Sequence, residues 1–437
     1  GIIHEPGGEF DHLFRNDGDK FTDVSRDTRI GEIAHMGLSA NWWDYNDDGL
    51  PDLYVANDFK GADILYRNNG KNHLGEYTFT NVMTEAIPHT PWFSMGSDIT
   101  DVNNDGHMDY MATDMAGTNH YRDKLSMGAM SGPDSTAWFL NWPVPPQYVR
   151  NCFYLNTGTK RFMEVAFLAG LAKTDWTWTV KFDDFDNDGW EDVYFTNGMS
   201  RDWYNGDFKD EIRMKRLSKE DQIKFWMEKP TYDLENRAYR NQGDLKFADV
   251  SKDWGLDHTG VSTGAATGDL DGDGDLDLVV NGFNEPIRVY RNEVDSGNSI
   301  QFELRGATSN SQGIGARIDL TVDDQQPSQM RWLAAGRGFM SSSDVIAHFG
   351  TGDATQVASV RIRWPSGLEQ SFDNLDCNQR YVIVEKGEAP AVMISASKEK
   401  TLFTQTSTLD DFKHNEIIYD DFKREPLPVS YTHLRAH

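Results

Sequence analysis

The sequence predicts an all-β protein built from a repeated unit, and three observations carry that prediction. A nine-residue acidic pattern, D-x-[DN]-x-D-G-x-x-D, occurs at Asp44–Asp52, Asp101–Asp109, Asp184–Asp192 and Asp269–Asp277. Each copy runs straight into a strand-like stretch: Leu53 to Ala56, Tyr110 to Thr113, Val193 to Thr196 and Leu278 to Asn281. Out of phase with both, an aromatic-x-Asn signature recurs at Phe14-Arg15-Asn16, Tyr66-Arg67-Asn68, Tyr154-Leu155-Asn156, Tyr239-Arg240-Asn241 and Tyr290-Arg291-Asn292. Self-similarity of this kind marks a repeat architecture.

Taken in order, the elements make one unit. Small residues precede the acidic loops (Gly37 to Ala40, Gly96-Ser97, Gly264-Ala265-Ala266) and suit an innermost strand, where sheets converge and space is tight. The loop and second strand follow. The aromatic-x-Asn signature then leads into Phe21 to Val24, Phe79 to Val82, Phe162 to Val165 or Phe247 to Val250, a hairpin whose Asn and Gly supply left-handed turn positions. Inner strand, loop, second strand and hairpin make four strands, the content of a β-propeller blade. Four units read as complete, and Phe14-Arg15-Asn16 reads as the hairpin of an upstream blade cut by the start of the chain. Residues 1–297 are therefore expected to be propeller blades in an incomplete ring. Two insertions interrupt them. Residues 115–149, rich in Met, Trp and Pro, read as irregular. Residues 203–229 read as helical, with Ser218 and Asp221 resembling a capping box. Such insertions decorate one face of a ring, often its binding face.

From about Gln301 short strands continue, as in Val360 to Trp364 and Tyr381 to Glu385, but the acidic loops stop. This predicts a separate small β-domain over 298–388. Residues 389–437 read as a linker or tail, with the last nine, Val429 to His437, fitting nothing before them.

The 437 residues allow two or three domains, and no apolar run approaches the ~18 residues of a membrane span. The formal charge of −28 argues against nucleic acid as a partner. It fits either bound cations or a solvated acidic surface. The position of the acids favours cations, because three or four carboxylates crowded into nine residues repel one another strongly. Calcium takes six to eight oxygens, and acids or amides at positions 1, 3, 5 and 9 with a carbonyl from position 7 can wrap it. The expected side-chain ligands are Asp44, Asn46, Asp48 and Asp52; Asp101, Asn103, Asp105 and Asp109; Asp184, Asp186, Asp188 and Asp192; and Asp269, Asp271, Asp273 and Asp277. Leu50, His107, Trp190 and Asp275 would give carbonyls. About four structural Ca2+ ions are thus expected. An EF-hand needs a Glu at position 12 and flanking helices, whereas Val55, Ala112, Phe195 and Val280 stand there inside strands. Magnesium, which keeps its waters, fits less well. Cys152 and Cys377 are too few for a disulfide framework and read as two buried thiols.

With these elements placed, the four-unit region resembles the FG-GAP/VCBS repeats of calcium-binding propellers, also found in integrin α heads. Residues from about 301 to 387 resemble the ASPIC/UnbV domain, on the runs Ser309-Asn310-Ser311-Gln312-Gly313-Ile314-Gly315-Ala316-Arg317, His348-Phe349-Gly350 and Arg363-Trp364-Pro365-Ser366-Gly367. The pairing is similar to the cartilage acidic protein family and its large bacterial relatives, over roughly residues 10 to 388. The resemblance implies an extracellular, cell-surface or periplasmic calcium-binding protein with adhesion or glycan-linked roles and no established catalytic residues. It also implies that residues 410–428 approach a second propeller, which would make the chain an internal fragment.

The leading functional expectation is a binding or adhesion module for carbohydrate or for a cell-surface or matrix protein. Trp42, Trp43, Trp138, Trp142, Trp176, Trp178 and Trp203 are candidate stacking platforms, weighed against plain blade-core packing. A polysaccharide lyase or hydrolase is the rival, but His89, His107, His120 and His258 are scattered without a repeating partner or nucleophile. Gly313 to Gly315 lacks the strand and helix of a phosphate loop. A purely structural spacer is the third reading.

Overall fold

The computed structural model describes residues 9–32, 34–59, 61–130, 145–294, 297–386 and 391–393. The tail expected over 389–437, apart from the strand Ala391–Met393, lies outside the described residues, as do Trp138 and Trp142.

The acidic repeat folds into successive antiparallel meanders. The first sheet orders Gly37–Trp43, Asp52–Asn57, Ile64–Lys71 and Tyr77–Asn81. The second orders Ser97–Thr100, Asp109–Ala112, Cys152–Asn156 and Phe162–Glu164. The third orders Thr177–Asp183, Asp192–Asn197, Arg237–Asn241 and Phe247–Asp249. In each, the acidic loop joins the first strand to the second, as the sequence predicts. The hairpin Phe14–Asn16 and Phe21–Asp23 stands alone as a two-stranded sheet.

The fourth unit corrects the expectation of four complete copies. It has three strands, Ser262–Gly268, Asp277–Gly282 and Arg288–Tyr290. After Asn292 the sequence lacks the Phe-x-[Asp/Glu/Asn]-Val run of the other hairpins, and the chain moves instead into the strand Asn298–Arg305.

Why the second strands carry an unbroken apolar run after their first aspartate follows from where they sit. Tyr110 and Ala112 face the first sheet, packing with Trp43, Tyr54 and Leu65, while Met111 between them faces the third, packing with Val180, Phe182 and Phe195. In the third sheet Tyr194 likewise packs with Ala265, Leu278 and Val280 of the fourth, and Val193 and Phe195 face back to the second. Side chains alternate faces along a strand, so a strand sandwiched between two sheets must be apolar on both. Burying such side chains stabilises by about 1.5–3 kcal/mol each. The small residues on the first strands are explained by close approach. A Cβ on Gly96 would stand 2.1 Å from the Trp178 carbonyl oxygen, and Ser39 and Ser97 hydroxyls meet at 2.7 Å.

The insertion 203–229 holds two helices, Gly206–Lys215 and Lys219–Met227, and Ser218 caps the second by accepting from the Asp221 N–H at 3.2 Å. The insertion 115–149, expected to be irregular, contains a helix at His120–Met130. No helix among the described residues is long and apolar enough to cross a membrane.

The C-terminal region is a sandwich of two four-stranded sheets. One orders Ile346–Gly352, Asn298–Arg305, Gln379–Val384 and Ala391–Met393; the other orders Gln329–Trp332, Arg317–Thr321, Gln356–Arg363 and Glu369–Asp376. Alternate residues Ile300, Phe302 and Leu304 pack against Ile318, Leu320, Val360 and Ile362. Cys152 and Cys377 are free and buried, as expected.

Candidate metal centres

All four acidic loops share one backbone. The position-1 carboxylate folds back on its own loop: Asp44 accepts from the Asp48 and Gly49 N–H groups at 3.0 and 2.7 Å, Asp101 from Asp105 and Gly106 at 3.0 Å each, and Asp184 from Asp188 and Gly189 at 3.1 and 2.8 Å. Position 6 turns left-handed at Gly49, Gly106, Gly189 and Gly274, where glycine bears no Cβ penalty. Position 4 is left-handed as well, at Asp47, Asn104, Asn187 and Gly272. Asn, Asp and Gly are the residues that tolerate that region, so this feature was visible in the sequence and was missed. The position-5 carboxylates accept from the N–H of position 7, at 3.0 Å for Leu50, 2.9 Å for His107, 3.0 Å for Trp190 and 3.1 Å for Asp275.

These turns gather oxygens. One ligand atom each from Asp184, Asp186 and Asp188 lies within 4.8 Å of the others, and so does one each from Asp269, Asp271 and Asp273. An ion that holds oxygens at 2.3–2.6 Å keeps them within about 5 Å of one another, so the spread fits calcium. Two position-3 oxygens, Asn103 Oδ1 and Asp186 Oδ1, are buried without a hydrogen-bond partner. Burial, then the neighbouring Asp188, pushes the Asp184 carboxyl up to about 8. Burial also lifts Asp52 to about 8, and burial with Asp105 beside it lifts Asp101 to about 7. Carboxylates this compressed are relieved by protonation or by nearby positive charge. In the third and fourth loops part of that charge comes from arginine. Arg240 reaches Asp186 at 2.5 Å and Asp188 at 2.9 Å, and Arg291 reaches Asp271 at 2.9 Å. Leu155 holds the equivalent position in the second unit.

The position-9 aspartates do something the loop pattern alone does not reveal. Both oxygens of each accept backbone N–H groups: Asp52 from Tyr45 and Asn68, Asp109 from Val102 and Asn156, Asp192 from Phe185 and Asn241, and Asp277 from Leu270 and Asn292. One donor is in the loop and the other is the hairpin asparagine. That asparagine then bridges sheets. Asn156 Nδ2 donates to the Tyr45 carbonyl of the preceding loop at 2.9 Å, Asn241 Nδ2 to Val102 at 3.0 Å, and Asn292 Nδ2 to Phe185 at 2.7 Å. Asn156, Asn241 and Asn292 are therefore pins, whereas Asn68 Nδ2 donates to Pro51 O in its own loop. None of the hairpin asparagines adopts the left-handed conformation expected of them, and the glycine two residues on does so at Gly18, Gly70, Gly158 and Gly243.

The histidines singled out in the sequence stay apart. His107 meets Asp47 of the neighbouring loop at 3.0 Å, His258 meets Glu285 at 3.2 Å, and His120 is exposed. His89 joins Cys152 and Glu164 in a third cluster of possible ligand atoms, but Arg150 already donates to both His89 and Glu164 there. Trp43 is sealed in the core, Trp42 packs on Phe79, and Trp176, Trp178 and Trp203 join Phe93 and Tyr204 in a separate aromatic cluster near the insertions.

Similarity to known proteins agrees with this geometry. The FG-GAP-like repeat family matches residues 44–112 and 230–280, and the ASPIC and UnbV family matches residues 306–390. Cartilage acidic protein 1 of Xenopus tropicalis is 23% identical over 320 residues, which are 72% of this chain and 40% of that protein. The mouse and human proteins of that name are each 27% identical over 131 residues, 29% of this chain and 20% of theirs. The chain thus spans 40% or less of the length of these curated relatives. Among solved structures, the Vibrio cholerae biofilm matrix protein Bap1 aligns with a TM-score of 0.26 and 9% identity over 83% of this chain and 62% of that one, too weak a likeness to argue from. Loops, hairpins and sandwich together make this a chain of FG-GAP-like repeats joined to an ASPIC/UnbV domain, homologous to cartilage acidic protein 1.

Proposed function

We propose that the four sheets are blades of a calcium-stabilised propeller arc, and that the chain serves outside the cytoplasm as a binding or adhesion module for carbohydrate or protein ligands. The observation that carries this reading is the convergence of Asp184, Asp186 and Asp188, with a buried position-3 oxygen left unpaired. Calcium would be held by the side chains at positions 1, 3, 5 and 9 and the carbonyl of position 7 in each loop, with position 9 also tying the loop to its hairpin; its chemistry there is charge neutralisation and turn locking. The half-buried Trp178, Trp203 and Tyr204, packed on the buried Phe93 and Trp176, support a ligand face beside the insertions. A lyase or hydrolase would need an open acid–base pair. The basic groups at the first strands are instead engaged: Lys181 is buried and donates to Arg337 O and Ser343 Oγ, and Arg337 of the sandwich segment pairs with Asp98 and Asp183, which favours binding over bond cleavage.

Isothermal titration of the chelated chain should show uptake of about four calcium ions at up to millimolar concentration, and EDTA should lower the melting temperature by several degrees. No heat of binding, with melting indifferent to EDTA, defeats the reading. On a glycan array, retention lost in EDTA without released oligosaccharide supports binding, and released fragments support the enzyme.

A further inference from the structure

We propose that the C-terminal sandwich is an intramolecular clasp: its segment Gly336–Ser343 lies along the first strands of all four sheets while its edge sits on the acidic loops, so that domain docking and cation occupancy form one coupled equilibrium. The cation half of this rests on the calcium reading above; the clasp itself rests on contacts between the chain's own residues.

The segment touches each sheet in turn. Gly336 O accepts from Asn41 Nδ2 of the first sheet at 3.1 Å, and Gly338 N–H donates to the Ser97 carbonyl of the second at 2.7 Å. Phe339 N–H donates to Thr179 Oγ1 of the third at 3.0 Å, and Ser341 Oγ accepts from the Ala265 N–H of the fourth at 3.1 Å. Arg337 is the centre. Its Nε and Nη2 donate to Asp98 at 2.7 and 3.0 Å, its Nη1 to Asp183 at 3.2 Å, and its Nη2 to the Phe182 carbonyl. Lys181 Nζ closes the group on Arg337 O and Ser343 Oγ, both at 2.9 Å. The Asp98 side chain is 0% exposed, so without Arg337 it would be a buried, uncompensated charge.

The edge contacts fall on three of the four loops. Arg317 pairs with Asp47 of the first loop at 3.1 Å. Gly350 lies so close to the third that a Cβ would stand 2.1 Å from Asp184 Oδ2. At the fourth, Gln301 Nε2 donates to Asp269 Oδ2 at 2.9 Å, while Ser299 Oγ and His348 Nε2 meet the Gly274 carbonyl at 2.7 and 3.1 Å. Arg317, His348 and Gly350 belong to the same sequence runs that mark the ASPIC/UnbV domain, so those runs include its docking face. Asp184 and Asp269 are position-1 oxygens. A cation that fixes them fixes what the sandwich grips.

The test uses the full chain with Arg337→Met, Asp98→Asn and both together. It follows protease cutting of the connector between Asn292 and Asn298 and hydrogen exchange over 336–343, in calcium and in EDTA. Each single change should speed both by on the order of a hundredfold, with the double change no worse than either, because the orphaned charge is then gone. Chelating the wild type should raise exchange over 336–343 in step with the loops. Should the core variants fail to fold, Arg317→Ala and Ser299→Ala at the rim should raise connector cutting by roughly severalfold in calcium. Cutting and exchange at wild-type rates in both the core and the rim variants overturn the clasp. Protection of 336–343 in EDTA while the loops exchange freely overturns the cation coupling; because the Arg337 and Asp98 variants do not depend on calcium uptake, that result is distinguishable from failure of the calcium reading.

Discussion

A single carboxylate can hold several segments, and Glu385 does so in the sandwich. It accepts from the Ala307, Thr308 and Ser309 N–H groups at 2.7, 2.5 and 2.8 Å, and from the hydroxyls of Ser309 and Ser366. Burial acts to raise its pKa, but the Ser366 hydroxyl and those N–H groups outweigh it and hold the carboxyl down to about 2. A folded-state pKa below the unfolded value means that the stabilisation is complete above pH about 4.5 and is lost as pH falls from there toward 2. Melting followed against pH should show this loss in the wild type. In Glu385→Gln the dependence over that window should flatten, with lower stability at neutral pH. At the loops, Asp192→Asn should remove one acceptor for the Phe185 or Asn241 N–H and cost about 1–3 kcal/mol in urea unfolding. The aspartates of the loops are legible as a pattern, since all nine positions sit together in sequence. The second role of Asp192 is not, because its partner Asn241 lies 49 residues on.

Elements of this chain are joined by side chains that look like turn residues. Asn241 Nδ2 donates to Glu191 O in its own sheet at 3.1 Å and to Val102 O in the preceding one at 3.0 Å, a buried bridge between neighbouring sheets. Asn241→Ala leaves both carbonyls without that donor and should destabilise by about 2 kcal/mol. Asn16, in the same motif position, is exposed and only closes its own turn onto Gly18, so Asn16→Ala should stay within about 0.5 kcal/mol. Equal losses in denaturant unfolding would refute the pin. Strand order within each sheet was legible from loop and hairpin signatures, and the helices of 203–229 from Ser218 and the apolar spacing after it. The helix His120–Met130 was not, since Gly128 and a polar first turn weaken its local signal. Nor did the aromatic-x-Asn signature of the fourth unit disclose that its outer strand is missing. That signature reports the start of a hairpin, whereas the absent Phe-x-[Asp/Glu/Asn]-Val run decides its return.

For the whole molecule, the sequence separates sheets from sandwich by the point at which acidic loops stop, and it is silent on how the two meet. The contacts that join them pair residues such as Arg337 and Asp98, 239 positions apart, with no periodicity to announce them. What sequence does offer is glycine, and Gly350 is the informative one. It lies on the sandwich strand Ile346–Gly352, and its carbonyl accepts from Gln329 Nε2 at 2.7 Å. An added methyl would stand 2.1 Å from Asp184 Oδ2 and 2.5 Å from the Asn187 Cα, and backbone cannot yield there as a flexible side-chain end would. The Gly352 N–H donates to the Asn187 carbonyl at 2.8 Å, so this strand and the third loop are one packed layer. Gly350→Ala should therefore overpack the joint, at about 1–3 kcal/mol, a shift of roughly 1–3 °C for a chain of this size. Because the methyl presses on a position-1 carboxylate, calcium uptake should fall by one ion while the other three loops keep theirs. A variant that melts with the wild type and binds as many ions would mean that the sandwich and the third loop do not share this layer in solution.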